Sequence, residues 1–531
     1  MTDADSLPTE RLSHRRKTAV LTGVMLGLFL SALDQTVVSV ALRAITDDLH
    51  GLSRQAWVTT AYLVTGTSVG PMYGKLSDIF GRRPAYVGAI SLFSAGSLLC
   101  AVAGSVAELA AFRALQGLGG GGLASLAMTV IADVTSPRER GRYQGYYTAV
   151  FGTAALAGPV VGGLLAGRAS LLGVDGWRWI FLLNLPLASL ALVVVLRLLH
   201  VPHRPVRHRL DVAGAVTLMA GTAPLLVAAE QGATWGWGSL TTLSLCGAGL
   251  FGLAAFVAVE RRAGDAALLP LRLMRVQSFR LGGILHFLVG FTVFGATVIL
   301  PLYLQIVKGL TPVEAGLASL PMAVASLVAT LVVGRVVART GRFKSCLVIG
   351  VGCLSAALPV CATLGTDTPA WPMITGMVLV GIGMGAAMQT MTTLAQSDIP
   401  RQDMGAGTAA VNFFRSGGGT AGTAVSLSVL FSLAGSRIAE RVSAATRDPA
   451  FRVLAERPHN ARSLTALLAP SGDAGPRDSA PLARLEPLLA RPFREGYAAS
   501  MHAAFLVCSV TSLAALAVAV LRVPDSTLPD R

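Results

Sequence analysis

Apolar runs of roughly 20 residues recur along this chain from Ala19 to Leu521. At a rise of about 1.5 Å per residue, each is long enough to cross the roughly 30 Å hydrocarbon layer of a bilayer as a helix. Backbone in hydrocarbon has to satisfy its own hydrogen bonds, so repeated runs of this length specify an all-α polytopic membrane protein. Composition agrees. Of 531 residues, 53% are hydrophobic and only 13% charged, about half the charged fraction of a soluble domain, and the mean hydropathy is +0.63. The first run follows His14–Lys17 ("HRRK"), which superficially resembles the start of a signal peptide. It is too long for one and is followed by many more, so it reads as an uncleaved first span. The six cysteines all fall inside apolar runs with no CxxC pair, so neither a disulfide framework nor a metal site is indicated.

A net charge of +15 could suggest a nucleic-acid partner, but the distribution of the charge argues against one. Basic residues gather in alternate short loops: Arg11 to Lys17, then Lys75, Arg82 and Arg83, then Arg138, Arg140 and Arg142, with further clusters after spans six, eight and ten. This is the positive-inside pattern, and it places both termini in the cytoplasm of a cell (plasma) membrane, with an even number of spans. Fourteen spans are predicted. They fall into a cytoplasmic tail (1–18), a six-helix bundle (19–200), two inserted helices (201–278), a second six-helix bundle (279–521) and a cytoplasmic tail (522–531). The segment 435–499 within the second bundle reads as a long outer loop able to form surface helices.

The two bundles repeat one another. "GKLSDIFGRRP" (Gly74–Pro84) returns 260 positions later as "GRVVARTGRFK", and "LQGLGGGG" (Leu115–Gly122) has its counterpart in "LVGIGMGAA". The same shift sets Asp34 against Phe294 and Asp78 against Ala338, so both acids belong to one half only. "GLGGGG" spells GxGxxG, but inside an apolar run it serves close helix packing better than nucleotide binding. In "AVFGTAALAGPVVGGLLAG", Gly158, Pro159, Gly162 and Gly163 predict a kinked, closely packed span five, either a hinge or a static packing face.

Two charges stand inside spans. Asp34 lies in "GLFLSALDQTVVSVAL" and Arg113 in "AAFRALQGLGGGG". An intramembrane charge is costly and functional by default. Arg113 either snorkels to the outer headgroups or faces a polar space beside span one, with Asp34 among its partners. Asp34 is either a structural acid held by neighbours such as Gln35 or Thr36, or a site that loads and releases a proton. Lost hydration favours the neutral carboxyl and a nearby cation the ionised one, and a balance between them permits exchange. Glu230 and Glu314 are possible further acids near the outer ends of their spans. Phe29, Tyr62, Met128, Phe151, Phe294, Asn412 and Phe413 are candidates to line a substrate cavity.

Together these motifs resemble the major facilitator superfamily, in particular its fourteen-span drug/proton antiporter branch, over almost the whole chain. "LDQTVVSVALRAI" is similar to the branch's first-span signature, though Arg43 stands where proline is usual. "GKLSDIFGRRP", "RALQGLGGGG", "GPVVGG" and "WRWIFLLNLP" follow in the family's order. The resemblance implies two pseudo-symmetric bundles and alternating access. It gives Asp34 and Arg113 a part in proton or cation coupling, and Lys75, Asp78, Gly81, Arg82 and Arg83 that of a conformational latch. Gly158, Pro159, Gly162 and Gly163 become its antiporter motif. The expected activity is proton-coupled export of hydrophobic or cationic drugs by a monomer, with no cofactor beyond the proton gradient. Export of one endogenous antibiotic or metabolite is the alternative within transport, and a non-transporting membrane sensor the alternative outside it. No HExxH or Walker-type loop occurs, which disfavours a zinc hydrolase and an ATP-driven pump.

Overall fold

The computed structural model describes residues 14–49, 55–135, 140–166, 170–199, 211–264, 271–310, 312–400, 403–455 and 485–524, with isolated positions between them. The N-terminal tail before His14, the last seven residues and most of 456–484 lie outside the described residues. The elements are helical almost throughout: α1 His14–Asp48, α2 Gln55–Phe80, α3 Arg82–Ala101, α4 Val106–Val134, α5 Arg140–Ala166 and α6 Arg178–Leu198. They continue as α7 Val212–Trp235, α8 Leu240–Ala263, α9 Gln277–Leu302, α10 Pro312–Ala318, α11 Leu320–Thr340, α12 Lys344–Cys361 and α13 Ala370–Gln396. The last three are α14 Met404–Ala445, α15 Pro449–Ala455 and α16 Pro487–Leu521.

Among the described residues, twelve helical segments are long and apolar enough to cross a membrane. The remaining long helices, α2 and α5, have 26 and 27 residues. They have the length to span but carry more Ser, Thr, Gly and Tyr. Among the described residues a two-residue hairpin, Ser170–Leu171 with Val174–Asp175, turns α5 into α6.

The chain divides into two compact units. One holds α1–α6 together with Pro400–Ala409, and the other holds α7–α13 and the chain from Ala410 onward. In both units the same glycines interlock. In the first, a Cβ at Gly121 would sit 2.0 Å from the Gly66 carbonyl oxygen of α2, and one at Gly117 would sit 2.5 Å from that of Tyr62. In the second, Gly385 meets the Ser326 oxygen at 2.2 Å and Gly381 that of Met322 at 2.2 Å. These are the positions the internal repeat pairs. The turn after α2 needs Gly81 at φ 97°, and its repeat, Gly341, closes α11 at φ 67°. Such angles favour glycine over any residue with a side chain.

Helices α7 and α8 pair with each other through Gly221, Gly249 and Gly252. They group with the second unit, where Trp237 Nε1 donates to Ser428 Oγ of α14 at 2.6 Å. The segment 435–499 is helical at both ends. α14 runs unbroken to Ala445, and Ile438, Phe451, Leu489 and Phe493 bury their side chains in the core of the second unit. These four residues therefore extend that core instead of lying on a surface loop.

Candidate functional site

Asp34 and Arg113 meet in the first unit. Arg113 Nη1 donates to Asp34 Oδ2 at 2.5 Å, and each residue is 1% exposed. Arg113 lies two turns into α4, and the pairing holds its guanidinium inside the unit, which removes the snorkelling alternative. The rest of the cage comes from side chains that sequence reasoning did not single out. Gln116 Nε2 donates to Asp34 Oδ1 at 3.0 Å and to Ser97 Oγ at 3.1 Å. Asn184 Nδ2 donates to the same two oxygens, each at 2.8 Å. Arg113 Nη1 also donates to Gln116 Oε1 at 2.7 Å, its Nε to the Val58 carbonyl at 3.3 Å, and Ser97 donates to the Phe181 carbonyl at 3.1 Å. Each NH2 group thus divides its two protons between two acceptors. The circuit is closed around the carboxylate: both oxygens of Asp34 and each amide nitrogen of the cage are bonded, in an apolar unit.

Five helices meet in this cage, α1 through Asp34, α2 through Val58, α3 through Ser97, α4 through Arg113 and Gln116, and α6 through Asn184. Tyr62 of α2 covers the guanidinium at 4.1 Å from ring centroid to Cζ, and its hydroxyl lies 3.0 Å from Ser31 Oγ. Tyr62 is therefore part of the ion-pair site. The sixth helix joins one step away. Thr36, two residues past Asp34, donates to the Ala154 carbonyl of α5 at 3.0 Å. A Cβ on Gly158 would sit 2.1 Å from Thr36 Oγ1, so this glycine sets the approach of α5 to α1. Gly163, by contrast, is exposed with open space around it, so among the described residues it forms no packing face. Gly162 is buried, and the side chain of Pro159 lies outside the described residues.

The motif "WRWIFLLNLP" places Asn184 in the cage by fixing the start of α6. Trp177 Nε1 donates to Asp48 at the end of α1 at 2.9 Å. Arg178 donates to the carbonyls of Ala101 and Ala103 at 2.8 and 3.0 Å.

A second polar cluster surrounds the α2–α3 turn. Arg82 donates from Nη1 to Asp78 Oδ1 and to Ser77 Oγ, both at 2.5 Å, and from Nε to Asp133 Oδ2 at 2.6 Å. Asp78 Oδ2 accepts the Ala406 backbone N–H at 3.0 Å, in the first turn of α14, where helix N–H groups lack partners and favour an anion. A Cβ on Gly405 would overlap the Asp78 carboxylate, and one on Gly74 would lie 2.5 Å from Ala409, so α14 starts in near contact with α2. Arg83 Nη2 donates to the Leu196 carbonyl at the end of α6 at 2.5 Å. Lys75 is buried. Asp133 is the member that sequence reasoning missed.

The remaining candidates are dispersed. Phe151 is exposed and lies 5.4 Å from Tyr147. Phe294, also exposed, packs on Gly419 of α14. Asn412 is buried, and Phe413 lies 6.0 Å from Phe414 in an edge-to-face pair. Met128 is buried and Phe29 half-buried. Glu314 is exposed on α10, while Glu230 lies on α7 with its side chain outside the described residues.

The sequence profile of the Major Facilitator Superfamily matches residues 24–423. The chain belongs to the major facilitator superfamily. Curated relatives within reach of it include the multidrug transporter protein MdtP of Bacillus subtilis, 32% identical over 428 residues, which covers 80% of this chain and 78% of that protein. Multidrug resistance protein 3 of the same organism is 30% identical over 407 residues, covering 76% of this chain and 78% of the relative. Among solved structures, the human organic anion transporter MFSD10 superposes with a TM-score of 0.60 over 93% of this chain and 99% of that one. At 15% identity this last likeness speaks for the fold alone. Like other members of the superfamily, this chain is a multi-pass membrane protein with a transporter fold.

Proposed function

We propose that this superfamily member exports hydrophobic or cationic drug-like molecules in exchange for protons, with the Asp34–Arg113 pair as its proton-responsive element. The relatives named as multidrug transporters favour drugs as cargo. The observation that carries the coupling is the closed cage around Asp34. An ionised carboxylate accepts every bond the cage offers. A protonated one loses the charge that balances the guanidinium. Loading a proton therefore leaves Arg113 as a buried cation without a counterion, which costs several kcal/mol. The cage has to open, and five helices have to shift together. Proton binding is converted into motion of a bundle, as alternating access requires.

A membrane potential of 100 mV supplies about 2.3 kcal/mol per charge carried inward, before any pH gradient is counted. The turn cluster of Asp78, Arg82, Asp133 and the α14 N-terminus is the latch that holds one conformation. The protein works in this reading as a monomer in a bacterial plasma membrane, both termini cytoplasmic, drawing on the proton gradient and no other cofactor. Export of a single endogenous antibiotic is the alternative cargo, distinguished by one tight competitor in place of broad inhibition.

The test is reconstitution in liposomes with an imposed pH gradient, following a lipophilic cation such as ethidium. Wild type is expected to accumulate or expel it in response to the gradient, and Asp34→Asn to lose that response. Flux indifferent to both the gradient and the substitution would refute the antiport reading. Binding of the dye with no flux would point to a sensor.

A further inference from the structure

The second unit also contains an intramembrane arginine, and it is wired in the opposite way to Arg113. Arg415 lies in "NFFRSGGG" (Asn412–Gly419) on α14. It stands eleven residues after Met404, about 16 Å along the axis of an apolar helix that runs from Met404 to Ala445. Nη2 donates to Asn412 Oδ1 at 2.6 Å, one turn earlier on the same helix. Nε is buried and has no partner, and among the described residues no carboxylate pairs with this guanidinium. The nearest titratable neighbour on the facing helix, His286 of α9, bonds the Gly282 carbonyl at 2.7 Å and Thr392 Oγ1 at 3.2 Å and brings no negative charge.

The backbone beneath Arg415 is held firmly. A Cβ on Gly290 of α9 would lie 2.6 Å from the Arg415 carbonyl, and Gly418 meets the Phe287 carbonyl in the same seam. One unit thus holds a buried arginine with its anion, and the other a half-buried arginine whose buried Nε is left without a partner. An unbalanced cation at this depth costs several kcal/mol, and where proteins keep one it faces a ligand or its path.

We propose that Arg415, oriented by Asn412, receives the carboxylate of the transported molecule, so that the preferred cargo is an amphipathic carboxylic acid or zwitterion, not a pure cation. The inference rests on the export reading above and narrows its substrate class. A planar guanidinium with an unused Nε–H offers parallel donors that match two carboxylate oxygens.

The test uses rhodamine B, which carries a free carboxylate, and its ethyl ester, which has the same cationic ring system with that group blocked. Binding of both to the full-length protein in nanodiscs is read by fluorescence polarisation, and transport of both in proteoliposomes. Wild type is expected to bind the acid about tenfold more tightly than the ester. Arg415→Gln should abolish that difference by weakening the acid alone. Arg415→Lys should keep part of it, and Asn412→Ala should lose part of it with ester binding unchanged, which guards against a variant that merely misfolds. Equal binding of acid and ester by wild type, or equal weakening of both by Arg415→Gln, would overturn the inference while leaving export intact. If wild type moves neither dye in response to a pH gradient, the export reading fails and this inference falls with it.

Discussion

Breaking the Asp34–Arg113 pair from one side, and then from both, separates its electrostatics from its place in the scaffold. Asp34→Asn keeps the shape but leaves one oxygen to serve three donors. If that oxygen faces Arg113, the new amide nitrogen points at Gln116 and Asn184; if it faces them, the nitrogen points at Arg113. Either arrangement leaves Arg113, 1% exposed, as a buried cation without a counterion, a loss of about 3–5 kcal/mol. Arg113→Met preserves length but strands the carboxylate with only its two amide donors, for a loss of similar size, about 3–5 kcal/mol. With both changes made, no charge is buried, and the double variant is expected to be more stable than either single one. The resulting interaction energy is at least about 3 kcal/mol, at or above the upper end for residues in contact. Equilibrium unfolding of purified protein in bicelles, followed by tryptophan fluorescence, measures the cycle, since Trp177 lies on the α6 segment that delivers Asn184. In liposomes the folded double variant should still fail to respond to a pH gradient. Single losses that simply add in the double variant to within about 0.5 kcal/mol would refute the reasoning, because the two side chains would then be independent.

Three further outcomes are expected. Gly158→Ala forces a methyl into Thr36, so it should destabilise by about 1–3 kcal/mol and lower transport, read by thermal unfolding and flux on the same preparation. Gly81→Ala places a side chain at φ 97°, where non-glycine backbone costs about 1–3 kcal/mol, and a fall in melting temperature checks it. Asp78→Asn should leave dye binding within twofold of wild type but slow turnover about tenfold, the equivalent of about 1.4 kcal/mol. Unchanged turnover would remove the latch.

The architecture was legible in the sequence because hydrocarbon leaves a chain few options. Runs of sufficient length become helices, the Gly-rich stretch announced close packing, and the turn at Gly81 was readable, its repeat partner Gly341 lying at the same offset. Asp34 and Arg113 were legible as isolated charges in apolar runs, but the partners that complete the cage were not. Gln116 and Asn184 are neutral, and nothing local to either tells a bond to Asp34 from an amide turned to a headgroup. Their signal was present in retrospect: polar amides inside "RALQGLGGGG" and "WRWIFLLNLP", at depths where an unpaired amide is expensive. Asp133 was hidden differently, because it reaches Arg82 from the end of another helix, a contact set by tertiary packing. Arg415 carried little local signal, set between the cavity candidates Asn412 and Phe413 and the run of glycines that follows it.

The spacing of the cage residues along the chain has a consequence for biogenesis. Asp34 leaves the ribosome 79 residues ahead of Arg113 and 150 ahead of Asn184. At about 5–20 residues per second, the acid waits roughly 4–16 s for its cation and longer for its last amide. The nascent first helix must enter the membrane with that acid uncompensated, either neutralised by a proton or sheltered by the insertion machinery. Slowing synthesis between α1 and α4 would prolong that exposure, and would lower the yield of correctly assembled protein more than the same delay placed after α6.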